Sequence, residues 1–165
     1  GKALGISNAE LGNVSAARDY FTDYMVCQKR LGDEAGLASA YNNLGMVAMK
    51  QGQPKEAIVY FSEAVKTKPK NWSARVNLGI VLAQMGRKAE AIEQYKEVVR
   101  NEPDYNPSLY YNIACYYAVE GQLIRGVEWL KKAVSHGYDN WDLIRTDPDL
   151  QHLRSLPEYR DLISR

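Results

Sequence analysis

Apolar residues recur along this chain at intervals of three and four positions. Ala57 and Phe61 lie four apart, and Ala91 and Tyr95 repeat that spacing further along. Residues three or four apart share one face of an α-helix, so the pattern predicts amphipathic helices of about 12–16 residues. Glycine and proline separate these stretches. We therefore predict an all-α fold.

The pattern itself repeats. Residues 42–69 align with residues 76–103 without a gap at a spacing of 34, and residues 111–138 follow with one extra residue in the link. An incomplete copy occupies residues 3–26. Because a fixed period of this length is typical of stacked helical hairpins, we expect each copy to be one structural unit.

Small residues predict where helices come close together. One series occupies the first helix of each unit, at Gly5, Gly45, Gly79 and Ala114. A second series occupies the second helix, at Ala17, Ala57, Ala91 and Gly126. Glycine within a helix costs about 1 kcal/mol relative to alanine, so its recurrence favours a close helix–helix approach. Glycines also separate the two helices of each unit, at Gly12, Gly52, Gly86 and Gly121. There we predict the left-handed conformation that ends a helix.

The repeated positions resemble the tetratricopeptide repeat over residues 3–140. The resemblance implies a right-handed α–α superhelix (a solenoid) of about four helix–turn–helix units. The implied units are residues 1–37 (partial), 38–71, 72–106 and 107–140, which form a repeat array over residues 1–140. The first interval, from Gly5 to Gly45, is longer than the others and is similar to the longer-helix variant of this family.

Residues 141–165 do not continue the repeat. Pro148 and Pro157 predict two short helices, near 148–155 and 157–164, and Asp147 is suited to cap the first. Several apolar side chains can cover the end of the last unit: Trp141, Leu143, Ile144, Leu150, Leu153, Leu156, Tyr159 and Leu162. We expect capping helices here, and a regulatory arm that folds over a ligand groove is the alternative.

The resemblance also implies a concave groove, lined by the first helix of each unit. The residues that we expect to contact a peptide there are Asn42, Asn43, Met46, Met49, Lys50, Asn77, Ile80, Gln84, Tyr111, Asn112 and Cys115. Asn43, Asn77 and Asn112 occupy equivalent positions, and their amides can pair with any extended backbone. The alternative is that these amides order the helical hairpin. Tyr111 is the expected aromatic anchor, whereas Ser39, Ser73 and Ser108 are expected to be helix caps.

Charge and chemistry exclude several classes of function. The formal net charge is +1 at pH 7 and the charges are interspersed, which argues against a nucleic-acid partner. Only His136 and His152 offer imidazoles, and no metal, phosphate-binding or catalytic motif is present. Cys27 and Cys115 are expected to be free thiols. No apolar run reaches the ~18–20 residues that span a membrane. We therefore expect no enzyme, no cofactor, no metal and no membrane span.

These observations favour a non-enzymatic scaffold or adaptor that binds a peptide segment of a partner protein. One alternative is an assembly protein that self-associates as a homo-oligomer, through its open N-terminal end or its concave face. Another is a regulatory or substrate-presenting domain of a larger enzyme. The chain starts within a predicted helix, so we expect it to belong to a longer protein, with residue 165 near the natural end. The sequence does not identify the cellular compartment, and we favour a cytoplasmic location.

Overall fold

A computed structural model of the chain describes residues 8–164, and throughout that range the regular structure is helical. The helices are α1 (Asn8–Leu31), α2 (Glu34–Lys50), α3 (Pro54–Thr67), α4 (Trp72–Gln84), α5 (Lys88–Asn101), α6 (Pro107–Val119), α7 (Leu123–Ser135), α8 (Trp141–Thr146), a 3-10 helix η1 (Pro148–Leu153) and α9 (Pro157–Ile163). This confirms the predicted all-α class of paired helices. The chain forms two compact units, residues 1–91 and 92–165.

In the first unit, α2 packs against α1 and α3, and α3 packs against α4. The small residues that the repeat predicted lie inside this core, where Ala57 has no exposed surface. A Cβ atom added to Gly45 would lie 2.4 Å from Cε1 of Phe61, which is itself only 2% exposed. The α2 backbone therefore lies directly against an aromatic ring of α3, as the glycine series predicted.

In the second unit, α6 packs against α7, and η1 contacts both. Ile113 and Leu130 are fully buried between them. A Cβ atom on Gly126 would lie 3.3 Å from the Ala118 nitrogen and from Cδ2 of Leu153. Glycine at this position of α7 therefore allows both α6 and the C-terminal segment to pack closely against the α7 backbone.

Three of the four predicted turn glycines are confirmed. Gly52, Gly86 and Gly121 have φ values of 71°, 81° and 80°, in the left-handed region that glycine adopts easily. The prediction for Gly12 is wrong, because this residue lies within α1. A continuous helix runs through it, and the turn follows at Gly32, with φ of 69°. The related prediction for Gly5 lies outside the described residues.

The predicted serine caps are also wrong. The helices α2, α4 and α6 are capped by Asp33, Asn71 and Asn106, whose side chains accept hydrogen bonds from backbone N–H groups of the first turn. Ser73 instead lies inside the first turn of α4, and Ser39 lies well within α2. Asx side chains satisfy the same N–H groups as serine, so composition alone does not distinguish them.

Within the second unit, the C-terminal segment packs against α6 and α7. Ile144, Leu150 and Leu153 are fully buried, and the hydroxyl of Tyr159 donates a hydrogen bond of 2.9 Å to the Ile144 carbonyl. Asp147 caps η1 by accepting from the Asp149 N–H, as predicted. The first predicted helix of this segment is 3-10 rather than α and ends at Leu153.

Candidate functional site

A chain of polar side chains joins the first helices of two neighbouring repeats in the first unit. Asn77 on α4 donates from Nδ2 to Oδ1 of Asn42 on α2, at 3.0 Å. Asn42 in turn donates from Nδ2 to Oγ of Ser73, at 3.4 Å. Asn42 is only 9% exposed, so it has little surface with which to contact a ligand. Its amide instead fixes the position of the Asn77 side chain.

An open cavity of about 300 Å³ lies between α1 and α2. Its lining consists of Asn13, Val14, Ala17, Phe21, Asn43, Met46, Val47 and Lys50. Three of these, Asn43, Met46 and Lys50, are predicted peptide contacts. Met46 is 45% exposed, so its thioether side chain is accessible from the cavity. The cavity thus combines an apolar floor with two amides, Asn13 and Asn43, and one ammonium group.

The remaining predicted contacts of the first unit differ in exposure. On α4, Ile80 is 43% exposed and Gln84 is exposed, so both present surface to solvent. Met49, on α2, is half-buried, as is Asn77. Together with the three predicted contacts that line the cavity, these residues lie on α2 and α4, and we call the seven of them the first-helix face.

The predicted contacts of the second unit are mostly covered. Asn112 is exposed, but Tyr111 and Cys115 are only 5% and 9% exposed. The Tyr111 hydroxyl donates a 2.6 Å hydrogen bond to Oδ2 of Asp147, and its ring stacks on Tyr138 at 4.4 Å. The expected anchor is therefore held by the C-terminal segment. Covering by this segment explains why two of the three residues have little surface left for a ligand.

Burial raises the pKa values of the Cys115 thiol and the Tyr111 hydroxyl. The pKa of Cys115 is raised to about 12, first because the thiol is buried and then because the Asp147 carboxylate disfavours a second negative charge. Burial also raises the pKa of Tyr111, and its hydrogen bond to Asp147 acts in the same direction. A nucleophilic cysteine needs a lowered pKa, so Cys115 is poorly suited to covalent chemistry.

One group of side chains could hold a metal ion by distance alone. Cys115, Asp147 and Asp149 place one ligand atom each within 4.8 Å of one another. Both carboxylate oxygens of Asp147 already accept hydrogen bonds, from Tyr111 and from the Asp149 backbone. The raised thiol pKa also opposes the thiolate that a metal would need. The cluster is better explained as the attachment of the C-terminal segment to α6.

His136 directly follows the last residue of α7, and its imidazole contacts two other side chains. Its ring stacks on Tyr110, with 4.6 Å between ring centres, and Nδ1 lies 2.8 Å from Oδ1 of Asp104. These contacts account for the imidazole structurally. Within residues 8–164, no helix combines the length and the apolar character that crossing a membrane requires.

Comparison with known proteins identifies the repeats. The tetratricopeptide repeat family model matches residues 42–106. A stretch of 53 residues is 38% identical to a chloroplastic protein of Arabidopsis thaliana, and it covers 32% of this chain but only 16% of that relative.

Solved structures agree over most of the chain. A tetratricopeptide repeat protein from Parabacteroides merdae has a TM-score of 0.73 and 15% identity, with 94% of this chain and 59% of that chain covered. YrrB, a tetratricopeptide repeat protein with an unusual peptide-binding site, has a TM-score of 0.58 and 26% identity, with 90% and 73% covered. Residues 42–106 therefore carry tetratricopeptide repeats, and the helical-hairpin fold of such repeats extends over most of the chain. Tetratricopeptide repeat folds are typical of protein-interaction modules.

Proposed function

We propose that this protein binds a peptide segment of a partner protein on the first-helix face of α2 and α4, without catalysing a reaction. The open, largely apolar cavity beside Met46 and Lys50 carries the proposal, because ligand sites are concave and mostly apolar with a few placed polar groups. YrrB has the same fold and a peptide-binding site, which supports the same class of ligand here.

The amides of this face suit backbone recognition. Asn77 is oriented by its bond to Asn42, which uses one N–H of the Asn77 amide. An amide has a second N–H and a carbonyl oxygen, which can pair with the N–H and C=O of an extended peptide. Asn43 lies at the equivalent position of α2 and lines the cavity. Recognition through backbone groups would accept varied sequences.

The apolar residues of this face would provide most of the affinity. Met46 and Ile80 are each more than two-fifths exposed. Covering such side chains stabilises a complex by about 25 cal/mol per Å² of apolar area removed from water. Methionine adapts its shape to different partners. The face would therefore bind apolar side chains of the peptide between its amide contacts.

Peptide selection followed by affinity measurement tests this proposal. Peptides are selected from a random displayed library against the wild-type chain, synthesised, and titrated by calorimetry. Ile80→Glu should weaken binding by at least about 10-fold, because it removes apolar contact and places a charge on the face. The matched control is Val59→Glu on α3, where the native side chain is 60% exposed. Equal losses in both variants would contradict the proposal.

A second candidate function is self-association through α1. Tyr20, Tyr24, Cys27 and Leu31 follow a spacing of four, three and four along this helix and all are exposed, with Leu31 at 77%. Such a stripe is typical of a helix that packs against another helix. Light scattering over a concentration series should show a dimer that is lost in Leu31→Ser. A monomer throughout the series would exclude this candidate.

A further inference from the structure

A second concave surface lies in the other unit, between α5 and α7. Its volume is about 680 Å³. The lining residues are Lys96, Val99, Arg100, Pro103, Tyr110, Trp129, Lys132 and His136. Three of these side chains are permanently cationic, and none of the described residues that line it is acidic. We call this surface the basic groove.

The groove is basic although the segment that forms it is acidic overall. Residues 92–165 contain nine Lys and Arg but twelve Asp and Glu. Acidic residues therefore outnumber basic residues in the segment that forms the groove. Lys96, Arg100 and Lys132 instead line the same groove, and no carboxylate is among its lining residues. Such a local positive surface favours negatively charged ligands.

Aromatic rings hold the ammonium groups at the groove. Nζ of Lys132 lies 4.3 Å from the centre of the Trp129 ring, and Nζ of Lys96 lies 6.0 Å from it. Lys96 also lies over the Tyr117 ring and donates a hydrogen bond to the Tyr117 hydroxyl. Cation–π contacts of this kind reduce the freedom of a lysine side chain without neutralising its charge. The groove is therefore cationic and has a partly ordered apolar floor.

Acidic side chains do contact these cations from outside the lining. Glu97 pairs with Arg100 one helical turn away, and Glu93 lies 3.8 Å from Lys96. Asp104, which is 88% exposed, pairs with His136. One partner of each pair is about two-thirds exposed or more, namely Arg100, Glu93 and Asp104. Ion pairs open to solvent in this way contribute only about 0–1 kcal/mol, so a ligand carboxylate can replace them.

We infer that the basic groove binds an acidic peptide segment. Its carboxylates would pair with Arg100 and Lys132, and an apolar side chain would pack on Trp129 and Val99. A nucleic acid fits less well, because the net negative charge of residues 92–165 would repel a long polyphosphate chain beyond the groove more strongly than a short acidic segment that ends within it. This site is separate from the first-helix face and does not depend on the function proposed for it.

Fluorescence anisotropy with a defined probe tests the inference. The probe is a fluorescein-labelled oligoglutamate peptide with a central leucine, and the reference probe has glutamine in place of glutamate. The wild-type chain should bind the acidic probe more tightly, with affinity that falls as salt is added. Lys132→Gln should weaken binding by roughly 3- to 5-fold.

Two further variants make the test specific. Lys131→Gln removes the same charge from the adjacent exposed residue, which does not line the groove, and should leave the affinity within about 1.5-fold. Glu97→Gln releases Arg100 and should strengthen binding by about 2-fold. Circular dichroism confirms that each variant is folded.

Three outcomes would overturn the inference. The first is equal binding of the acidic and glutamine probes by the wild-type chain. The second is an equal effect of Lys131→Gln and Lys132→Gln, which would mean that only overall charge matters. The third is tighter binding of an unlabelled oligothymidylate competitor than of the acidic peptide. Loss of binding in Ile80→Glu bears only on the first-helix face, so the two proposals fail separately.

Discussion

The contact between α2 and α3 at Gly45 decides whether alanine at this position raises or lowers the stability of the protein. In Gly45→Ala, the new Cβ would lie 2.4, 2.5 and 2.9 Å from three atoms of the Phe61 ring. That ring is 2% exposed and is enclosed by the core of the first unit, so it has little room to move. The added methyl group must therefore displace the ring or separate α2 from α3.

The expected magnitude follows from two opposing effects. Alanine is favoured over glycine within a helix by about 1 kcal/mol. Overpacking a well-filled core costs about 1–3 kcal/mol, and contacts as short as these place Gly45→Ala in the upper half of that range. The free energy of unfolding should therefore fall by about 1–2 kcal/mol.

The same substitution in α1 is a matched control. Gly12 also lies within a helix, but among the described residues no atom apart from the adjacent backbone of its own helix lies within 4 Å of the Cβ that alanine would add. Only the helix preference then acts, so Gly12→Ala should raise the free energy of unfolding by about 0.5–1 kcal/mol. A destabilised Gly12→Ala would instead support a turn at that position.

Urea denaturation, followed by circular dichroism and by tryptophan fluorescence, measures both changes. Agreement between the two probes shows that a two-state free energy applies. In a Phe61→Leu background, the cost of Gly45→Ala should shrink or disappear, because the clashing ring is absent. A Gly45→Ala variant as stable as the wild type, or an undiminished cost without Phe61, would refute the close approach.

Two predictions concern the attachment of the C-terminal segment. Tyr111→Phe removes the hydroxyl that donates to Asp147 and should lower the free energy of unfolding by about 1–2 kcal/mol, measured in urea, whereas an unchanged value would show that the bond adds no stability. The pKa of Cys115 is raised from an ordinary value of 9.0 to about 12, so the thiol keeps its proton in the folded chain when it would lose it in the unfolded chain. The stability that the protonated thiol contributes is therefore complete below pH 9 and is lost as the pH rises towards 12. Stability should therefore fall less steeply above pH 9 in Cys115→Ala than in the wild type, and parallel pH profiles would contradict this.

Features that depend on local backbone geometry could be predicted from the sequence. Gly52, Gly86 and Gly121 adopt positive φ at equivalent points of three repeats. Gly45 contacts a ring of the partner helix for the reason that its recurrence suggested. Gly12 follows Gly5 by seven residues, as Gly52 follows Gly45, but it lies within α1, because glycine is tolerated in a helix where nothing else forces a turn. Spacing therefore predicts the repeat better than it predicts each boundary.

Features that depend on long-range contacts could not be predicted in this way. Asn42 and Tyr111 occupy equivalent repeat positions, yet one bridges α2 and α4 while the other is held by Asp147. Their partners lie 35 and 36 residues away, so no local pattern reveals them. The basic groove was missed because Lys96 and Lys132 come from different helices. In the sequence each one is accompanied by acidic residues that conceal the clustering.

The four methionines offer the most direct test of where a peptide binds. They are Met25, Met46, Met49 and Met85. Methionine methyl groups labelled with ¹³C are assigned by single substitution to leucine, and their NMR signals are followed as a selected peptide is added. Binding on the first-helix face predicts that the Met46 signal shifts, whereas that of Met85, at the end of α4 beside the Gly86 turn, stays in place. A shift of Met85 with Met46 unchanged would contradict the proposed function.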